Sequence, residues 1–158
     1  MLYAAPPRYR IGMIVPSSNV TMETEVPQLL RRQRGADGGF SFHSARLRLR
    51  EVTPEALEAM NQSAADAVDA LADAQCDAMV YACLVALMAG GRARIDETRS
   101  RLAPRSPARL VTSADALVTA LRALGATKVT LIAPYRKALT AQVESTLAAY
   151  GIEVLDTR

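Results

Sequence analysis

Residues 76–83, CDAMVYAC, run directly into LVALMAGG at 84–91, and the reading of this junction decides the fold. The first stretch is a short apolar run of the kind that forms a buried strand. It ends on Cys83, and the pair Gly90 and Gly91 follows shortly after. Comparable runs flank it on both sides: RIGMIVP (10–16), FSFHSARLRL (40–49), ARLVTS (108–113), KVTLIAP (128–134) and IEVLDT (152–157). Helical patterns separate them. In TPEALEAMNQSAADAVDALADAQ (53–75), Thr53 suits a cap and Pro54 the first helical position, while Leu57, Met60, Ala64, Ala67, Val68 and Leu71 fall on one face. SADALVTALRALGA and ALTAQVESTLAAYG close on Gly125 and Gly151, which enter the left-handed conformation that ends a helix at no steric cost. Strand and helix alternate throughout, which predicts an α/β fold: a parallel sheet with helices on both faces.

The totals agree with one ordinary domain. A chain of 158 residues, 50% of them hydrophobic, has the material for a sizeable core, so disorder is excluded as its dominant state. Lys and Arg number 19 against 16 Asp and Glu, and this net charge of +3 is spread along the chain. Such an excess is too small to imply a nucleic-acid or membrane surface. The basic tract GGRARIDETRSRLAPRSPAR (90–109) has no interleaved aromatics and reads as a solvated helix followed by an exposed loop. The apolar stretch around Ala78 to Ala89 is too short to span a bilayer, and MLYAAPPRYR (1–10) has no apolar segment of signal-peptide length. The expectation is a soluble, cytoplasmic protein without nucleic-acid or membrane partners.

Both cysteines, Cys76 and Cys83, fall on the same predicted strand. At about 3.3 Å per residue they would lie about 23 Å apart, well beyond the roughly 4.4–6.8 Å between Cα atoms that a disulfide permits. The chain carries one histidine, His43, so Cys/His spacing for zinc is absent.

In open α/β sheets, ligands bind beyond the carboxyl ends of the strands. Ser17, Ser18 and Asn19 follow the first strand; Cys83 ends the third, Thr112 and Ser113 the fourth; Tyr135 and Arg136 follow the fifth. Hydroxyl, amide, thiol and phenol groups therefore gather along one edge. Ser17, Ser18 and Asn19 suit helix capping and ligand binding equally, and Thr112 and Ser113 suit a cap for the helix that follows. Tyr135 also fits an exposed turn. His43 is one residue out of phase with Phe40 and Phe42 and belongs on the opposite face of its strand, while Cys76 reads as an inert packed thiol. Cys83 differs by position: a helix or turn beginning at Leu84 would aim backbone N–H groups at the sulfur and favour thiolate. The same N–H groups would hold a carboxylate or oxyanion.

GMIVPSSNVTMETEVPQLL (12–30), FHSARLRLREVTPEAL (42–57), YACLVALMAGG (81–91) and APYRKALT (133–140) together resemble the maleate cis-trans isomerases of the aspartate/glutamate racemase superfamily, from about Ile11 onward. The resemblance implies cofactor-independent conversion of maleate to fumarate. It assigns Cys83 as the nucleophile, Asn19 and Tyr135 as substrate contacts, and Leu84 and Val85 as positions whose N–H groups face a carboxylate. It also implies a homodimer and two similar α/β lobes: a flavodoxin-like first lobe over 1–113 and an incomplete second lobe beginning at 114–158. A second cysteine and a second asparagine are then expected beyond Arg158, so that the 158 residues alone would lack activity; residues 128–158 should lean on the first lobe or a partner chain, or belong to a longer lobe, and in that last case Tyr135 would be poorly placed. Other cysteine-dependent reactions of the superfamily, racemisation or arylmalonate decarboxylation, are the neighbouring alternative. A non-catalytic carboxylate-binding fragment is the reading of a different class.

Overall fold

The computed structural model describes residues 9–32 and 39–158; most of MLYAAPPRYR, and with it the expectation about a signal peptide, lies outside them. Eight-residue β1 (Tyr9–Pro16) leads into α1 (Thr21–Arg31), β2 (Phe40–Leu47), α2 (Pro54–Gln62) and α3 (Ala64–Asp73). There follow β3 (Ala78–Tyr81), α4 (Leu84–Met88), α5 (Gly91–Leu102), a 3-10 turn at Ala103–Arg105 and β4 (Arg109–Thr112). The chain continues through α6 (Ser113–Ala123), β5 (Lys128–Leu131), α7 (Lys137–Ala149) and β6 (Glu153–Thr157).

The expected parallel pairing holds for every pair of strands. One sheet has the order β2-β1-β3-β4, and β5 and β6 pair separately. Its two faces bury different sets of side chains, because alternate residues of a strand point to opposite sides. Met13, Val15 and Ala82 pack with Met22 and Val26 of α1 on one face. Ile14, Met79 and Tyr81 face the larger cluster with Leu57, Val68, Leu87 and Ile95 on the other. Gly12 allows α3 this close approach, since a Cβ there would meet Cys76 Sγ, Leu71 Cδ1 and Met79 Cγ, each at 3.2 Å.

Two local expectations are corrected. The long helix over 53–75 divides at Ser63, whose hydroxyl donates to the Met60 carbonyl at 2.9 Å and so competes with the helical ladder. Its apolar face survives the break, with Leu57, Met60, Ala64, Ala67, Val68 and Leu71 all buried. Thr53 caps as expected, accepting from the Ala56 N–H at 3.2 Å. The strand over 76–83 is shorter than its apolar run. The Asp77 and Ala82 N–H groups reach the Arg10 and Ile14 carbonyls of β1 at 2.8 Å, which leaves Cys76 and Cys83 just outside either end.

Leu139, Val143 and Leu147 of α7, together with Ile152, are buried in the same cluster as the core of the first sheet, so residues 128–158 lean on the elements before them. Leu155 of β6 and Ile132, just after β5, stay exposed. Gly125 and Gly151 have positive φ at the helix ends, as their positions required. Among the described residues no helix is long and apolar enough to cross a membrane.

Candidate active site

The strand order reverses between β1 and β3, and in open α/β sheets the ligand crevice lies outside the carboxyl ends at such a switch point. A cavity of about 320 Å³ opens there, lined by Asn19, Cys83, Leu84, Val85, Ser113 and Tyr135 among others. That volume is at the lower end of small-molecule sites, about 300–1,000 Å³. Of the strand-end residues singled out from the sequence, Ser18, Asn19, Cys83, Ser113 and Tyr135 line this space with Leu84 and Val85, whereas Ser17, Thr112 and Arg136 are not part of its lining.

Asn19 reaches it through the turn after β1. Its Oδ1 accepts the Met22 N–H at 3.1 Å, so half of the amide serves as the cap for α1. Its Nδ2 has no hydrogen-bond partner among the described residues and remains available as a donor. Capping, one of the two alternatives in the sequence, thus uses one atom of the side chain and leaves the other unused. Arg46, which the sequence did not single out, holds this turn: its guanidinium donates to the Ser17 and Asn19 carbonyls, each at 2.9 Å, and to the Glu23 carboxylate. Nothing in its local pattern marks it, because its partners lie in another element. Ser17 is spent on structure, its hydroxyl bonding the backbone of Leu49.

Cys83 occupies the cap position of α4 in an extended conformation and is 7% exposed. Here the structure corrects the expected thiolate. Burial pushes the Cys83 thiol up; the Ala86 backbone N–H works against this, without closing a cap hydrogen bond. α4 has five residues, so few peptide dipoles add up at its start, and desolvation of the charged form wins. Leu84 and Val85 begin α4, where N–H groups have no intrahelical acceptor.

The hydroxyls after β4 divide between two roles. Thr112 is the cap, its Oγ1 accepting the Asp115 N–H at 3.0 Å. Ser113 lines the cavity, and its Oγ is the one buried side-chain polar atom among the described residues without a partner. Tyr135 is half-buried in the loop after β5, and its phenol is pushed up by burial and by the field it shares with Cys83. Tyr135 lines the cavity, and α7, which follows its loop, is buried in the same core cluster as the first sheet. His43 lies elsewhere, its Nε2 2.9 Å from the Ser41 hydroxyl on β2. Among the described residues no group of three His, Cys, Asp or Glu is placed to hold a metal ion.

Comparison with known proteins identifies relatives of this chain. The chain is 46% identical over 156 residues to the maleate isomerase of Geobacillus stearothermophilus, covering 94% of this chain and 62% of that protein. A structure of a variant maleate isomerase from Pseudomonas putida S16 with maleate superposes with a TM-score of 0.90 at 43% identity, covering 95% of this chain and 62% of that one. A mutant of Nocardia farcinica maleate cis-trans isomerase, holding a covalently bound succinylcysteine intermediate, gives the same TM-score of 0.90 at 45% identity, again over 95% of this chain and 62% of that one. The chain therefore spans about 62% of the length of the relatives it matches. The resemblance read from the quoted phrases extends over nearly all of these residues. It agrees with the sequence profile described as arylmalonate decarboxylase, which matches residues 11–158, and the chain belongs to that family.

Proposed function

We propose that the protein isomerises maleate to fumarate with Cys83 as nucleophile. The observation that carries this reading is the meeting of Cys83, Asn19, Leu84, Val85 and Tyr135 around one cavity at the carboxyl edge of the sheet. Identity of 43–46% to several maleate isomerases supports the choice of reaction.

Maleate is planar, and its C2–C3 double bond forbids rotation. The Cys83 thiolate adds to one alkene carbon, forming a C–S bond, and the π electron pair moves to the other carbon and into its carboxylate as an enediolate. C2–C3 is now a single bond and turns. The pair then re-forms the double bond, the C–S bond breaks, and fumarate leaves with the thiolate restored. If the carbanionic carbon takes a proton, the species is a succinyl thioether, the type of adduct named in the Nocardia farcinica relative; that proton leaves again before sulfur is expelled. No electrons are gained or lost overall.

Asn19 Nδ2 donates to one carboxylate, and the Leu84 and Val85 N–H groups hold the other as charge builds on it. Tyr135 closes the cavity over the substrate. Since the free thiol is held protonated by burial, a proton must leave before attack, so turnover should rise toward alkaline pH. Residues 114–158 are part of the same proposal as the start of a second lobe, as are assembly as a homodimer and a cytoplasmic location.

Following maleate and fumarate by proton NMR tests the reading: with a complete second lobe present, fumarate should accumulate with the native protein and not with Cys83→Ser, and residues 1–158 alone should be inactive. The family description favours one further reading, decarboxylation of an arylmalonate. Carbon dioxide release from phenylmalonate without conversion of maleate would replace the proposal by that one, and calorimetric binding of maleate without turnover would make the protein a binder.

A further inference from the structure

The polar pair Tyr81 and Asn61 lies outside the cavity lining, and the mechanism above makes no use of it. Both are buried, at 0% and 2% exposure. The Tyr81 hydroxyl donates to Asn61 Oδ1, and Asn61 Nδ2 donates to the Ala86 carbonyl at 3.4 Å. Arg101 braces the pair by donating to the Asn61 backbone carbonyl at 2.7 Å. A phenol and an amide are costly to bury, and apolar side chains of similar volume would fill this space without needing partners. Their location is what distinguishes them. Tyr81 ends β3 two residues before Cys83, and Ala86, the residue Asn61 holds, is the one whose N–H faces the Cys83 sulfur.

α4 is five apolar residues, too short to hold its own shape in water. Its orientation comes from packing and from two side chains that hold its carbonyls: Asn61 at Ala86, and Thr146 of α7 at Met88, 2.7 Å away. We propose that Tyr81 and Asn61 are positioning residues for Cys83, fixing α4 so that the Ala86 N–H meets the sulfur as it becomes a thiolate. This rests on the reading of Cys83 as nucleophile. The titratable groups that share a field with Cys83 are Tyr81 of β3 and Tyr135 of the loop after β5; Tyr81 is faced in turn by Arg101 and Arg94 of α5 and Glu58 of α2.

The test reads the thiol itself, without substrate. In a Cys76→Ala background, the rate of Cys83 alkylation by iodoacetamide is measured against pH for the otherwise native protein, Tyr81→Phe and Asn61→Leu. Val68→Ala, a core truncation in α3, serves as a control for lost stability. The expected result is an upward displacement of the alkylation midpoint by about one pH unit in both pair variants, about tenfold slower labelling at neutral pH, with Val68→Ala unmoved. Tyr81→Phe keeps the ring in place and decides the matter should Asn61→Leu fail to fold. Superimposable profiles in the presence of lowered melting temperatures would make the pair purely structural and overturn the proposal, as would an equal displacement in Val68→Ala. Loss of maleate turnover in Cys83→Ser is a separate measurement, so failure of the nucleophile assignment and failure of the positioning role give different patterns.

Discussion

The two ends of β3 present the same residue in opposite circumstances. Cys76 sits just before the strand and Cys83 just after it; both are buried, at 4% and 7% exposure, and burial pushes both thiols up. Around Cys76 the polar groups are paired: the Arg10 N–H donates to Asp77 Oδ2 at 2.7 Å, and the Arg10 guanidinium reaches Gln75 Oε1 at 3.4 Å. The sulfur itself packs where a Cβ on Gly12 would touch it. Around Cys83 there is a cavity instead, with Asn19 Nδ2 and Ser113 Oγ left without partners. Neither burial nor thiol acidity distinguishes the two ends. The open space does, with one buried hydroxyl, Ser113 Oγ, unpaired at its wall, since a buried polar group without a partner is costly and calls for an explanation.

Exchanging the cysteines is the most direct attempt to break this contrast. Cys83→Ser should lower maleate turnover by on the order of 10⁴-fold, as the loss of a nucleophile does, whereas Cys76→Ser should stay within about twofold of the native rate. Comparable losses in steady-state assays of the two variants would show that the cavity is not what matters.

Asn19 sharpens it next, being a donor that the Cys76 end lacks. Asn19→Asp retains an oxygen for the Met22 N–H but removes the free Nδ2 and adds negative charge. Turnover should fall by about 10²-fold while the thermal midpoint barely moves; Asn19→Ala should lose turnover and also about 1 kcal/mol with the cap. An active Asn19→Asp would confine Asn19 to capping.

Access should separate the thiols more modestly. Iodoacetamide should label Cys83 at least about tenfold faster than Cys76, and mass spectrometry of the peptides reads the ratio directly. Equal labelling would mean that the cavity does not admit a small electrophile.

The smallest effect concerns what the two ends share. Each folded thiol ionises at higher pH than in the unfolded chain, so its contribution is complete below about pH 8.5 and is lost as pH rises through the folded value, because the unfolded state releases its proton first. Urea midpoints should therefore fall between about pH 7 and 9.5, and Cys76→Ala should reduce that fall, by less than about 1 kcal/mol. A fall as steep in Cys76→Ala as in the native protein would assign the alkaline loss to other groups.

The alternation of apolar runs and amphipathic segments, the Thr53 cap, the glycine helix ends and the parallel pairing are local or periodic, and they were legible in the amino-acid order because a strand or helix records its buried face in its own residues. That Asn19, Cys83 and Ser113 would lie along one edge was legible too, since strand ends in an open parallel sheet converge there, whereas the approach of Tyr135, which follows a strand of the other sheet, was not. What tertiary structure alone decided was partnership. The break at Ser63, the state of the Cys83 thiol, the division of Asn19 into a cap and a free donor, the pairing of Thr112 but not Ser113, and the Arg46 and Asn61 contacts all depend on atoms brought together through space. Desolvation and hydrogen bonding are set by those neighbours, many of them distant in the chain, and a linear sequence does not state which groups they will be.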